Sequence, residues 1–188
     1  MKRHALVASK DKVVRESIVK SLKSRGFEEV HETSDGSRAI AMAKLEKPGL
    51  VVLDDDLNDV NGISAAEKIV SNESLPVILI ASSDNASLVE KALEAGVMGY
   101  VCKPVRETEL WAVVDLAIHH YEEVVSLREE VHKLKDTLAT RKILEQAKGL
   151  LMQNGMSEEQ AHRHMQKIAM NRRASLKAVA EAILLTQG

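Results

Sequence analysis

Ala5–Ala8, Glu29–Glu32, Leu50–Leu53, Val77–Ile80 and Gly99–Cys102 are short runs suited to β-strands, each separated from the next by a helix-length stretch. Between them apolar residues recur at three- and four-residue spacing, as in Val14, Ile18, Leu22 and in Ile63, Ala66, Ile69. This alternation narrows the choice of fold more than any other feature. Strands that follow one another through helices lie parallel, and a parallel sheet must be covered on both faces. Gly26 closes the first helix, and Pro48 with Gly49 breaks the chain before the third strand. Residues 1–115 are therefore expected to form a doubly wound, five-stranded parallel sheet. Chemistry in such a sheet sits at the carboxyl ends of the strands.

Beyond Lys103–Pro104 the pattern changes. From Glu107 to Asn154 there is no Pro, and Gly149 is the single Gly. Val113, Ala117, His120, Val124, Leu127, Val131, Leu134 and Leu138 alternate spacings of four and three, a heptad seam. Val124 and Val131 fall at a, and Leu127 and Leu134 at d, a choice that favours a parallel two-stranded coil. Glu123 and Glu130 at g face Arg128 and Lys135 at e of a partner chain, so the charges agree with that register. Residues 113–141 are expected to form a dimerising coiled coil. The competing reading is an amphipathic helix packed on its own domain, and His120 at a d position weakens the start of the seam.

Residues 135–188 read as helices without strands, an all-α three-helix bundle. The coil helix runs on through Ile143, Ala147, Leu150 and Leu151 to Asn154–Gly155. Ser157-Glu158-Glu159-Gln160 opens a second helix with a capping box, Asn171–Arg173 forms a polar break, and Ser175 caps a third helix. Ala147, Met165, Ala169 and Ala180 read as core, and Met152, Met156 and Met170 as further core filler. Gly149 costs about 1 kcal/mol against Ala in a helix, and close helix packing is the expected reason for it. Residues 140–188 carry eight Lys/Arg against four Asp/Glu, whereas the whole chain has a net charge of −2. The basic excess is thus confined to the last quarter. Cys102 is the single cysteine, which excludes an intramolecular disulfide and a cysteine metal cluster. No Phe, Tyr or Trp follows Tyr121, which argues against base stacking of the single-strand-binding type. No apolar run reaches 18 residues and no secretory leader follows Met1, so a cytoplasmic protein without a membrane partner is expected.

Val51-Val52-Leu53-Asp54-Asp55-Asp56, Gly62 eight residues after Asp54, and Tyr100 with Lys103-Pro104 resemble the receiver domain of two-component response regulators. The resemblance spans about residues 3–120 and implies the flavodoxin-like α/β fold. It implies Asp54 as phospho-acceptor, Lys103 as partner of the phosphoryl oxygens and Tyr100 as a rotamer switch. Three positions depart from the family. Ser9 and Lys10 stand where the family holds an acidic Mg²⁺-binding pair, with Asp11 acidic but one residue out of register. Ala81 replaces the switch hydroxyl, with Ser82 its neighbour, and Asn58 replaces the usual Pro. Hard carboxylate oxygens are what Mg²⁺ requires, so the metal site reads as degraded. Lys10 would then supply the positive charge, in a pocket that also includes Asp56. No cofactor is expected, and Mg²⁺ only if the receiver can be phosphorylated.

Thr140-Arg141-Lys142-Ile143, Gln146-Ala147-Lys148-Gly149-Leu150-Leu151-Met152, Met156 through Ala161, Ala169-Met170-Asn171-Arg172-Arg173 and Leu176 through Ala180 are similar, in order and spacing, to the ANTAR domain of bacterial antitermination regulators. The resemblance implies a three-helix module that binds paired hairpins in nascent mRNA and lets RNA polymerase read through. Arg141, Lys142, Lys148, Arg163, Lys167, Arg172, Arg173 and Lys177 are the candidate RNA contacts, with Arg172–Arg173 first and Lys148 second. Two rivals remain at this point. One is a DNA-binding helix-turn-helix, for which the last helix offers few base-reading side chains; the other is a dimer acting only through protein partners. The expected partners are a structured mRNA leader, a second copy, and a sensor kinase or a ligand-sensing protein. No catalytic constellation is present in the sequence, and the chain is not expected to be an enzyme.

Overall fold

The computed structural model describes residues 4–83 and 85–186. Met1–Arg3 and the last two residues, the outer ends of the expected first and last segments, lie outside the described residues. The chain divides into two units, Met1–Val125 and Ser126–Gly188.

In the first unit β1 (His4–Ala8), α1 (Lys12–Ser24), β2 (Glu29–Thr33), α2 (Gly36–Glu46), β3 (Leu50–Asp54), α3 (Gly62–Glu73), β4 (Val77–Ala81), α4 (Ala86–Glu94) and β5 (Gly99–Cys102) alternate as expected. The strands form one parallel sheet in the order β2-β1-β3-β4-β5. The central strands β3 and β4 are buried on both faces, which is why their sequences are unbroken apolar runs. Successive strand residues serve opposite faces. Leu6, Val51, Leu53 and Leu79 meet Ala39, Ala43, Ala65, Ala66 and Ile69 of α2 and α3. Val7, Leu50, Val52 and Ile78 meet Ile18 and Leu22 of α1 and Leu110, Trp111, Val114 and Ala117 further on.

Two loop residues hold the carboxyl edge of this sheet. Gly62 opens α3 so close to β3 that a Cβ would stand 2.0 Å from the Asp54 carbonyl oxygen, which explains a glycine at that spacing. Asp59 caps α2 from a distance. Asp35, the residue that precedes α2, makes no side-chain cap bond, and the Asp59 carboxylate accepts from Gly36 N at 2.6 Å and Ser37 N at 3.2 Å instead. The Ser37 side chain, then the amides of Val60, Ser37 and Gly36, outweigh partial desolvation and hold the Asp59 carboxyl down at about 2. A carboxyl whose folded value lies below its unfolded one stabilises above the unfolded value and loses that contribution as pH falls through the folded one. Asp59→Ala is therefore expected to lower the thermal midpoint at neutral pH. The gap from the parent should shrink between about pH 4 and pH 2; a gap independent of pH would show that the carboxylate charge contributes nothing.

The long helix α5 is continuous from Glu107 to Gln153. Its first turns belong to the sheet-bearing unit, since Ala117 is buried there and Val113 packs beside it. These first two members of the heptad seam are therefore occupied within the chain, and its exposed members are Leu127, Val131, Leu134 and Leu138. In the second unit α6 (Glu158–Arg172) and α7 (Leu176–Thr186) pack with the end of α5 around Ala147, Leu151, Ala161, Met165, Val179 and Ala180. The capping box is formed by Ser157 and Gln160, and Ser175 Oγ accepts from Ala178 N. The polar break is shorter than expected: Asn171 and Arg172 remain helical, and the chain turns at Arg173 with φ +50. Two expectations for this unit need correction. Met165 is core and Met156 packs against it, but Met152 and Met170 are exposed. Gly149 is not a packing glycine, because an added Cβ would meet nothing within 4 Å. Among the described residues no helix is long and apolar enough to cross a membrane.

Candidate functional site

β1 lies between β2 and β3, so the strand order reverses between β1 and β3, and it is there that a doubly wound sheet opens a crevice. Asp54, the last residue of β3, sits in that crevice and is 1% exposed. Its Oδ2 accepts from Ser9 Oγ at 2.6 Å; its Oδ1 accepts from Lys103 Nζ at 2.7 Å and from Asp56 N at 3.2 Å. Burial alone would raise the Asp54 carboxyl, but these donors, led by Lys103 and then Ser9, outweigh it and hold the group below its ordinary value. Lys10 Nζ lies 2.7 Å from Asp56 Oδ2, and that bond raises the ammonium above its usual value.

Asp55 has the opposite fate. Its amide donates to the Ile80 carbonyl, its Oδ2 accepts weakly from Ser82 N at 3.4 Å, and its Oδ1 is buried with no hydrogen-bond partner among the described residues. Burial first, then the neighbouring Asp54 carboxylate, pushes this carboxyl up. The crevice thus holds one carboxylate clamped by an ammonium and a hydroxyl, beside a second carboxyl driven toward its protonated form. Two adjacent ionised carboxylates in such a buried place would repel each other, so their values separate.

Ser9 and Lys103 meet Asp54, and Lys10 meets Asp56, at the same strand ends. Asp11 does not join them: its Oδ1 accepts from Val13 N and Val14 N and caps α1. Ala81 ends β4 fully buried, and the contact of Ser82 to the crevice is its amide rather than its hydroxyl. The Tyr100 hydroxyl donates to the Ser83 carbonyl on the loop after β4. Sequence reasoning passed over Asp55. Its one signal was the run of three aspartates, which does not say which of them is buried.

The second unit sorts the eight basic candidates by their charge partners. Lys148 is 13% exposed and lies 2.7 Å from Glu145 and 3.1 Å from Glu158. It clamps α5 to α6, and the same bonds raise its ammonium and lower the Glu145 carboxyl. Arg163 pairs with Glu159 and Lys177 with Glu181 at 4.0 Å, whereas Arg141 makes no ion pair among the described residues. Lys142, Lys167, Arg172 and Arg173 have no ion pair within the described residues. With Arg141, these are the five of the eight candidates left for an outside anion.

Comparison with known proteins decides the family. Residues 5–115 match the response regulator receiver domain, and residues 132–184 match the ANTAR domain. The transcriptional regulatory protein PdtaR of Mycobacterium tuberculosis is 37% identical over 187 residues, covering 99% of this chain and 91% of PdtaR. The chain belongs to the ANTAR response regulators. The DNA-binding response regulator MtrA of Mycolicibacterium smegmatis is 28% identical over 123 residues, 65% of this chain and 54% of MtrA. A CheY-like receiver of Methanospirillum hungatei has the same fold over 64% of this chain and 96% of its own, with TM-score 0.59 and 21% identity. The NarL receiver of Mycobacterium tuberculosis aligns with TM-score 0.55 and 28% identity over 61% of this chain and 94% of its own.

The response regulator is thus a receiver joined to an ANTAR output domain, in a family of regulators rather than enzymes. Receivers typically use Mg²⁺ when phosphorylated, and the crevice residues do not fit that ion. Ser9 supplies a hydroxyl already bonded to Asp54, and the Lys10 ammonium already holds Asp56. Among the described residues no group of three or more His, Cys, Asp or Glu could hold a metal. A divalent ion here would face Lys10 and Lys103, which already neutralise Asp56 and Asp54.

Proposed function

We propose that this response regulator is a transcription antiterminator whose ANTAR unit binds hairpins in nascent mRNA. Two chains pair along Val124, Leu127, Val131, Leu134 and Leu138 and offer two basic units to two hairpins. Linked weak contacts then combine through effective concentration. The observation that carries this reading is the set Lys142, Lys167, Arg172 and Arg173, cations without acidic partners on an ANTAR unit. With no aromatic residues there, recognition proceeds through phosphates, RNA shape and hydrogen bonds to loop bases. Input reaches the receiver through a docked protein, a sensor kinase or a ligand-sensing partner, and Mg²⁺ takes part only if Asp54 accepts a phosphoryl group. The Lys10–Asp56 and Lys103–Asp54 pairs support that input reading.

A gel-shift series with a two-hairpin leader RNA and a matched DNA duplex tests it. The RNA is expected to bind more tightly, with an affinity that falls as salt rises. Arg172→Glu with Arg173→Glu should weaken RNA binding by at least about 100-fold, the loss of two charge-assisted contacts, and leave the dimer intact. Equal affinity for the duplex DNA, or unchanged RNA binding in the reversed variant, would overturn the assignment.

A further inference from the structure

The helices α6 and α7 leave a groove of about 360 Å³ between them, a size suited to a small planar group. Ile168, Val179 and Ile183 line it together with Ala178 and Ala182, one turn apart on α7, whose small side chains leave it open. Asn171 and Arg172 stand at its edge, and neither has a hydrogen-bond or charge partner within the described residues.

We propose that this groove seats one unpaired base of the RNA loop. The inference rests on the RNA-binding reading and adds the part of the ligand that is recognised. Three properties point to a base rather than to an apolar peptide. The edge carries an amide and a guanidinium, the side chains whose donors and acceptors match base edges. Arg172, Arg173 and Lys167, all without acidic partners, surround the end of α6 with positive charge suited to the flanking phosphates. Finally, no Phe, Tyr or Trp follows Tyr121, so a splayed base has no aromatic face to stack on, and the aliphatic walls of the groove are what can take it out of water.

The experiment uses the full chain, a two-hairpin RNA, and a set of the same RNA with a single abasic nucleotide at each loop position in turn. Anisotropy gives each Kd. Ala182→Leu fills the groove without adding charge, and Asn171→Ala removes the amide at its edge. At one loop position, removal of the base should weaken binding to the parent protein about tenfold, the order seen for a single seated base. Ala182→Leu should cost about the same for the intact RNA and nothing further for that abasic RNA. Asn171→Ala, in which the groove keeps its walls, should show a smaller loss with the same non-additivity. The groove is excluded if the parent binds the hairpins while every loop position tolerates base removal, or if the protein and RNA losses simply add. Dissociation of the dimer by Ala182→Leu, with RNA binding per chain unchanged, would make it a protein seat and equally overturn the inference. If the parent binds no hairpin better than duplex DNA, the antiterminator reading itself fails and the groove falls with it.

Discussion

Leu127→Asp is expected to convert the protein from dimer to monomer at micromolar concentration. Leu127, Val131, Leu134 and Leu138 are 53%, 49%, 57% and 67% exposed in the single chain, a continuous apolar stripe facing water. Burying a leucine of this kind contributes about 1.5–3 kcal/mol, so a few facing pairs suffice for a stable coil. Glu123, Arg128, Glu130 and Lys135 beside the stripe form no ion pair within the described residues, which leaves them for a partner. In a parallel dimer the d residues face each other, and Leu127→Asp would place two carboxylates side by side in the seam. That loses the leucine contact and adds the cost of desolvating like charges, together more than about 3 kcal/mol or over 100-fold in dimer affinity. Sedimentation measures the state directly. Affinity for a two-hairpin RNA should fall to that for a single hairpin, whereas single-hairpin binding by each chain should hold. A dimer that survives Leu127→Asp would show that the stripe is not the interface.

The elements visible in the sequence are those set by local rules. β3 and β4 are apolar on both faces, so no alternation had to be detected, and the Gly- and Pro-poor run after Glu107 could only be a long helix. The Asp54–Lys103 pairing was legible because a strand-end acid and a strand-end base recur at a spacing that one family shares. What escaped depends on residues far apart in the chain. Asp59 caps α2 across 23 positions, and nothing near Asp59 announces it. The second partner of Lys148, Glu158, lies beyond the turn after α5, so a residue that reads as a free cation is an internal clamp. Asp11 read as a near miss for a metal ligand because a helix cap and a metal site both call for a carboxylate after β1. The burial of Asp55 needed β4 in place beside it.

In the receiver, Ser9→Asp combined with Lys10→Asp is expected to create a Mg²⁺ dependence, and the parent is expected to show none. Asp54 already faces Ser9 at 2.6 Å, and Asp56 loses its Lys10 partner in the double variant. The crevice would then hold carboxyl groups at positions 9, 10, 54, 55 and 56 with Lys103 as the remaining cation. Two like charges 4 Å apart repel by about 4 kcal/mol at the effective dielectric of a protein surface, so without metal the variant should melt well below the parent. A divalent ion relieves that repulsion and binds only the folded state. At a hundred times its Kd it restores about 2.7 kcal/mol, on the order of 10 °C for a unit of this size. The parent melting curve should not move over the same MgCl₂ series, because its ammonium groups already balance Asp54 and Asp56. A small-molecule phosphoryl donor with Mg²⁺ should leave no alkali-labile phosphate on the parent at Asp54. Stoichiometric labelling there, or equal Mg²⁺ stabilisation of parent and variant, would show that Lys10 yields to the metal and that the receiver signals by phosphoryl transfer after all.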